Sequence, residues 1–353
     1  MALTVLSIAY PLAAVGPDAV GGSEQVLAAL DRALVAAGHR SIVIACVGSS
    51  VAGELVSFRA PPSTDITPRF HDARRADIRA LTAAVLARER VDLIHMHGLD
   101  FHTVMPPPGR PMLATLHLPP DWYPPGSLDL TRPDSWVHCV SVSQASHANS
   151  PVMLPPIPNG VPVSALGAVH PRRGEYAVAL ARVCPEKGLH HALDAARAAR
   201  MSLVIGGQVF PYASHEAYFA NEIQPRLDRR RRFVGPVGFR QKRRLLAAAR
   251  CLLIPSLVAE TSSLVAMEAA ACGTPVIAFR IGALPEVVEH GRTGFIVDDT
   301  ASMAEALGRV GEIDNEVCRE TARRRFSLDG MVGAYFDRYA AMLYDPNALT
   351  QAA

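Results

Sequence analysis

Two doubly wound α/β domains, each built on a parallel sheet, are the fold class this 353-residue sequence predicts. Three observations lead there. Apolar runs of strand length alternate with stretches whose apolar residues recur at helical spacing, the rhythm of βαβ units. A stretch rich in Pro, Gly and small residues, 155–175, interrupts that rhythm, which then restarts. The length suits two domains of about 100–200 residues each.

The run at 3–10 (LTVLSIAY) is continuously apolar, as a strand covered on both faces requires. A glycine-containing loop and a helical stretch at 23–38 follow, with Ser23 placed to cap the helix and Gly38 to end it. Further strands are expected at 41–48, 93–97, 112–117 and 136–143. Past the linker, strands are expected at 176–183, 202–207, 251–255, 274–279 and 294–297, with helices near 188–200 and 262–272. The domain organisation is therefore 1–160 and 161–328, followed by a C-terminal segment 329–353 with a helix around 331–344. No fixed-period repeat is visible.

Hydrophobic residues make up 49% and charged residues 19%, which excludes a disordered or fibrous chain. A net charge of +2 with no basic stripe excludes nucleic acid as a partner. The first half is slightly acidic and the second slightly basic, which suits an anionic ligand in the second half and equally suits random variation in solvated charge. The six cysteines show no C-x-x-C pair and no histidine at zinc-ligand spacing, so they read as small core residues in a reducing, cytoplasmic setting. The apolar start lacks a basic flank and is broken by Pro11, so it reads as a first strand rather than a leader. No uncharged apolar run approaches the roughly 20 residues of a membrane helix.

Among 35 basic side chains only Lys187 and Lys242 are lysines. A chain that uses arginine elsewhere keeps lysine where a compact ammonium matters; Lys187 fits that reading, and Lys242 fits it no better than it fits a solvated surface. The run Arg229–Arg232 reads as a solvated helix end in preference to a phosphate or lipid patch. Trp122 and Tyr123, in a Pro-rich loop, suit loop packing or stacking on a ligand equally.

The richest segment is 254–279, IPSLVAETSSLVAMEAAACGTPVIAF. Glu260 lies in a loop after a strand and Glu268 within the following helix. Thr261, Ser262 and Ser263 are suitable capping residues, and the amides from Ser262 through Ser263 and Leu264 to Val265 are those left free at the helix start, a ready diphosphate site. The neighbours of Glu268 are apolar or small, and a carboxylate in such a helix needs a partner.

With those residues in view, the segment resembles the donor-site signature of retaining glycosyltransferases of family four, which have the two-domain GT-B fold. It has Glu260, seven residues, Glu268, then Ala271-Cys272-Gly273-Thr274-Pro275-Val276, and the stretch 282–299 is similar to the family's next segment. Leu180 to Gly188 (LARVCPEKG) resembles the strand and loop that set an Arg and a Lys, here Arg182 and Lys187, on the donor diphosphate. Gly21-Gly22-Ser23 resembles the amino-terminal glycine loop, where missing side chains let a phosphate or acceptor approach. His117 resembles a histidine beside the reacting carbon and the sugar 6-hydroxyl. His95, His97 and Asn159-Gly160 match as architectural residues. Two departures stand out: Thr261, Ser262 and Ser263 replace Pro, an apolar residue and Gly, and Gly206-Gly207-Gln208 replaces Gly-x-Gly.

The resemblance implies two Rossmann-like domains with an interdomain cleft, and transfer of a sugar from a UDP- or GDP-sugar, with retention of configuration, to an acceptor the sequence does not identify. It implies a return of the helix around 331–344, in the segment 329–353, to the first domain, and a catalytic set of His117, Arg182, Lys187 and Glu260. The implied donor-binding set is Gly21, Gly22, Arg182, Lys187, Val234, Glu260, Ser262, Ser263, Leu264, Val265 and Glu268, with Glu268 on the ribose and the backbone near Val234 on the base. Acceptor contacts are expected from the loops 49–76 and 105–132. No Asp-x-Asp motif is present, so no metal is expected, and no cofactor beyond the nucleotide sugar as co-substrate. Membrane contact is expected only if the acceptor is a lipid, and then only peripherally. Two rivals are a nucleotide-sugar epimerase of similar architecture and a catalytically silent sugar-nucleotide-binding protein.

Overall fold

The structure, a computed structural model, describes residues 2–58, 68–169 and 172–345. Parts of the expected loop 49–76, of the linker 155–175 and of the segment 329–353 lie outside the described residues. The chain divides into two compact units, Met1–Pro158 with Met331–Ala353, and Asn159–Gly330.

The first unit carries β1 (Thr4–Ile8), β2 (Arg40–Cys46), β3 (Glu54–Phe58), β4 (Leu93–Met96), β5 (Met112–Leu116), β6 (Ser135–Cys139) and β7 (Met153–Leu154). They form one parallel sheet in the order β3-β2-β1-β4-β5-β6-β7. Alternate residues serve opposite faces: Ile42 and Ile44 join Leu6, Ile94 and Met112 in one core, while Val43 and Ala45 join Ala9, Leu27 and Ala28 in the other. Both faces are covered, which is why the strands read as unbroken apolar runs.

The second unit repeats the plan with β8 (Tyr176–Leu180), β9 (Ser202–Gly206), β10 (Arg231–Phe233), β11 (Cys251–Ile254), β12 (Val276–Phe279) and β13 (Gly294–Val297). Its parallel order is β10-β9-β8-β11-β12-β13. Ala177, Ala179, Leu203, Ile205 and Leu253 pack on one face, and Val178, Leu180, Leu252, Ile254 and Ile296 on the other. In both sheets the strand order reverses beside the first strand of the unit, the topological switch point outside whose carboxyl ends α/β folds bind ligands. All six cysteines are buried and unbridged.

Several local expectations are corrected. The helix Gly22–Ala36 starts one residue before Ser23, with Gly21 at the N-cap and no side-chain cap. Its end is as expected: Gly38 turns left-handed at φ 78°, its N–H donates to Val35 O, and His39 N–H donates to Leu34 O. Arg229–Arg232 is not a solvated helix end. Asp228 accepts from the amides of Arg230 and Arg231 and ion-pairs with the Arg231 guanidinium, turning the chain into edge strand β10. The strand β3 and the helix Pro68–Arg88 are additional elements; in that helix arginines interleave with the apolar residues and blur its stripe. No helix among the described residues is long and apolar enough to cross a membrane.

The helix Leu328–Tyr344 belongs, from Met331 on, to the first unit. It is held there by a buried polar chain. His138 Nδ1 lies 3.0 Å from the Cys139 carbonyl and must donate to it, so neutral His138 accepts at Nε2 from the Thr115 hydroxyl at 2.7 Å. Thr115 has then spent its only proton and accepts from His95 Nε2 at 2.7 Å, which leaves His95 Nδ1 to accept from Tyr339 at 2.7 Å. Tyr335, also fully buried, completes the chain by donating to Thr115 Oγ1 at 3.3 Å. Thr115→Val keeps the shape and orphans a donor on His95 and an acceptor on His138. The expected loss is about 2–4 kcal/mol of unfolding free energy, read by chemical denaturation; a loss below 0.5 kcal/mol, on the order of an exposed substitution, would contradict this linkage.

Candidate functional site

In the second unit, β8 leads through Arg182, which is exposed, to a single 3-10 turn, Pro185–Lys187. Gly188 ends that turn at φ 57°, and a Cβ there would lie 2.2 Å from the Pro255 carbonyl oxygen. The approach that only glycine permits lays the turn against the loop after β11, where Leu257 N–H donates to Glu186 O at 2.8 Å. Lys187 Nζ thereby reaches Glu260 Oε1 at 2.6 Å, and the Ser256 hydroxyl donates to the same oxygen. From the other side Gly282, at φ 55°, packs on the Glu260 backbone; a Cβ there would come within 2.3 Å of Glu260 O, to which Ala283 N–H donates at 2.7 Å. Burial pushes the Glu260 carboxyl up. The Lys187 charge and hydrogen bond, with Ser256 and Arg182, outweigh that push and hold it below the usual carboxylate range, so it is ionised at neutral pH.

The helix Leu264–Ala271 starts at Ser263, whose side chain makes no capping bond. A capping side chain needs an extended backbone, whereas Ser263 is left-handed at φ 84°, ψ 72°. Its carbonyl accepts from Ala266 and Met267 instead, at 3.1 and 3.3 Å. Ser262 is buried, and its hydroxyl has no hydrogen-bond partner. Leu264 and Val265, half-buried, form the first turn. One turn on, Glu268 is 3% exposed and ion-pairs with Lys242 from the helix Phe239–Ala248. Here burial prevails: it raises the carboxyl above its usual range, and the Lys242 charge and hydrogen bond offset only part of the rise. The loop before the Lys242 helix carries Val234, 40% exposed, and is tied to the end of β9 by Gly207 N–H donating to Gly235 O at 2.9 Å. The only two lysines of the chain thus pair with Glu260 and Glu268 one apiece, Lys187 from the turn after β8 and Lys242 from the helix after β10, while both carboxylates follow β11.

His117, Gly21 and Gly22 belong to the first unit. His117 follows β5; its N–H donates to Tyr123 Oη at 3.1 Å, and its Nε2 lies 3.0 Å from His97 Nδ1, with the rings stacked at 5.3 Å. Burial pushes His117 down to about 4 and His97 well below its ordinary value, so both are neutral at pH 7. Tyr123 is buried, a packing residue that fixes the His117 backbone, while Trp122 is 47% exposed. The space left by the missing Gly21 side chain is taken by its own helix: a Cβ there would lie 1.9 Å from the Glu24 carboxylate, which is buried in the first turn.

The structure therefore joins Lys187 to Glu260, sets Arg182 within electrostatic reach of Glu260, and aligns Ser262, Ser263, Leu264 and Val265 at one helix start. Sequence reasoning gave no role to Ser256 or to Gly282 individually and left Tyr123 between loop packing and stacking; their roles come only from tertiary neighbours. It treated His97 as architectural and left Lys242 undecided, although scarcity of lysine already marked the latter.

Comparison with known proteins follows this division. Residues 20–164 match the family described as Glycosyltransferase Family 4, and residues 174–312 match Glycosyl transferases group 1. A D-inositol 3-phosphate glycosyltransferase of Corynebacterium efficiens is 39% identical over 32% of this chain and 27% of its own length. One of Streptomyces scabiei is 38% identical over 32% and 27%. The chain spans about a quarter of the length of these curated relatives. Among solved structures, sucrose-phosphate synthase from Thermosynechococcus elongatus superposes with TM-score 0.81 at 21% identity, covering 96% of this chain and 99% of that one. An Anabaena protein solved with UDP and glucose gives 0.76 at 18% identity, covering 96% and 100%. These likenesses establish the two-domain GT-B fold.

Two outcomes are expected. Ser263→Gly relieves a left-handed serine and should stabilise the protein by about 1 kcal/mol, a rise in Tm of about 2–4 °C by calorimetry; an unchanged or lower Tm would show that the backbone carries no strain there. Acid should destabilise the chain through its buried histidines. The folded pKa values of His117 and His138 are depressed, to about 4 and about 3. Their contribution is complete above the unfolded value of about 6.5 and is lost as pH falls towards the folded values. Denaturant midpoints should fall steeply over that window, and less steeply in His138→Gln.

Proposed function

The chain belongs to the family 4 glycosyltransferases, and from that premise we propose that it transfers a sugar from a nucleoside diphosphate sugar to an acceptor hydroxyl with retention of configuration. One observation supports this reading above the rest: two inward carboxylates, each paired with one of the two lysines, flank a helix start whose Ser262 hydroxyl is buried without a partner. A helix N-terminus and two fixed cations suit a diphosphate, and carboxyl oxygens suit sugar and ribose hydroxyls.

In this mechanism the bond between the anomeric carbon and the diphosphate oxygen breaks as the acceptor oxygen bonds to that carbon from the same face. The acceptor proton passes to the departing diphosphate oxygen. Arg182 and Lys187 stabilise the negative charge that gathers on the leaving group, and no metal is required for that step. Glu260 accepts hydrogen bonds from the transferred sugar, and Lys187 moves its charge toward the diphosphate while keeping Glu260 ionised. Glu268 accepts from the ribose hydroxyls, and the Lys242 charge and hydrogen bond offset part of the rise that burial imposes on its carboxyl. His117, in the first unit, is neutral and is met by His97 and Tyr123. The Anabaena neighbour solved with UDP and glucose makes a uridine diphosphate sugar the first donor to try, with GDP-sugars second.

Product analysis with a donor and a panel of acceptors tests the reading. A glycosylated product with the donor's anomeric configuration is expected; epimerised donor, or binding without turnover, would overturn it. Lys187→Ala and Arg182→Ala should each lower turnover by about 10²–10³-fold, equivalent to about 2.7–4 kcal/mol, with circular dichroism confirming the fold. Turnover should persist in excess EDTA. By calorimetry UDP should bind more tightly than its 2′-deoxy analogue by about 1–3 kcal/mol, because the deoxy form leaves a Glu268 acceptor site unfilled. Lys242→Met should reduce that discrimination and raise the donor KM more than it lowers kcat.

A further inference from the structure

Three side chains that transfer does not use converge in the second unit. Cys184, buried, precedes the Pro185–Lys187 turn; Glu186, exposed, lies on it; His215, half-buried, lies on the helix Ala213–Tyr218. A thiol sulfur, a carboxylate oxygen and a ring nitrogen, one from each, all lie within 4.8 Å of one another. Zinc bonds such atoms at about 2.0–2.3 Å, so ligands on one ion stand roughly 3.3–3.8 Å apart. Small side-chain rotations close the difference.

A second observation points the same way. His215 Nδ1 is buried with no hydrogen-bond partner, a costly state for a ring nitrogen. The ring itself is held: Tyr212 meets it edge-on at 5.1 Å, and Phe210, stacked on Tyr212, meets it at 6.3 Å. The turn is equally fixed, by Lys187 N–H to Cys184 O at 3.1 Å, Gly188 N–H to Pro185 O at 3.0 Å and Leu257 N–H to Glu186 O at 2.8 Å. Ligands on a preset backbone lose little freedom when they bind.

We propose that Cys184, Glu186 and His215 form a site for a zinc-class divalent transition metal ion, with water completing its coordination. A thiolate, an imidazole and a carboxylate suit zinc or cobalt, whereas magnesium and calcium prefer oxygen alone. Coordination releases the thiol proton to solvent. The ion is not a catalyst; through Cys184 and Glu186 it grips the turn that carries Lys187. Sequence spacing conceals the group because its third ligand comes from a separate helix.

Cobalt(II) is the probe, titrated into the metal-stripped full chain. One equivalent should produce a sulfur-to-cobalt charge-transfer band in the near ultraviolet and visible bands of four-coordinate cobalt, both displaced by zinc. Cys184→Ser should abolish the charge-transfer band, and His215→Ala should weaken cobalt binding about tenfold or more. Both variants are to keep the wild-type circular dichroism and Tm in EDTA. No charge-transfer band in the wild type, or one that survives Cys184→Ser, overturns the site. The readout needs neither donor nor acceptor, so it stands or falls apart from the transferase reading.

Discussion

A carboxylate withdrawn from water costs several kilocalories per mole unless a charge and hydrogen bonds meet it. The helix Leu264–Ala271 carries such a group, Glu268, among alanines, and the loop before it carries another, Glu260. Lys242 and Lys187 meet them, and much of the second unit's local form serves those two meetings. Gly188 and Gly282 bring three loops close enough for Lys187 to reach Glu260. The helix Phe239–Ala248 is placed so that Lys242 reaches Glu268. The two pairs differ in balance: Lys187 overcomes the burial of its partner, and Lys242 does not fully overcome the burial of Glu268. A ligand rich in hydroxyls and phosphate oxygens suits both states, since it offers donors to the carboxylates and acceptors to the ammonium groups.

The first unit solves a similar problem without ionic charge. Four histidines, His95, His97, His117 and His138, lie in its interior and stay neutral because burial disfavours their protonated forms. The tautomers of His138 and His95 follow in sequence from one backbone carbonyl, that of Cys139, through Thr115 to Tyr339 on the C-terminal helix. Each of these two rings has a defined donor edge and acceptor edge, which fixes the polar contacts the helix must meet. Order of this kind is directional and local, where the ion pairs of the second unit are strong and less sensitive to angle.

Strands covered on both faces were legible in the sequence because burial writes a continuous apolar run: β1, β5, β8 and β11 all fall inside the expected stretches. Boundaries were less so. Ser23 and Ser263 are good capping residues by type, yet one sits inside its helix and the other adopts a left-handed backbone, choices set by the preceding loop rather than by the serine. Arg231 in β10 was obscured by its neighbours: four arginines in a row read as solvent-facing until Asp228 turns the chain. At the candidate site, the residues that carry charge were readable from type and spacing. The residues that aim them, such as Ser256, Tyr123 and Gly282, have ordinary identities, and only their three-dimensional neighbours give them a role.

The scarcity of lysine has a chemical corollary. Among 353 residues, amine-directed reagents find only two side-chain targets, Lys187 and Lys242, and both are held in ion pairs with partly or fully buried carboxylates. The side-chain amines open to an acylating or carbamylating agent are thereby confined to one unit, with the chain's arginines left untouched. Any such adduct removes a charge from beside Glu260 or Glu268, so the same reagent that labels the protein also neutralises the cation on which that carboxylate relies.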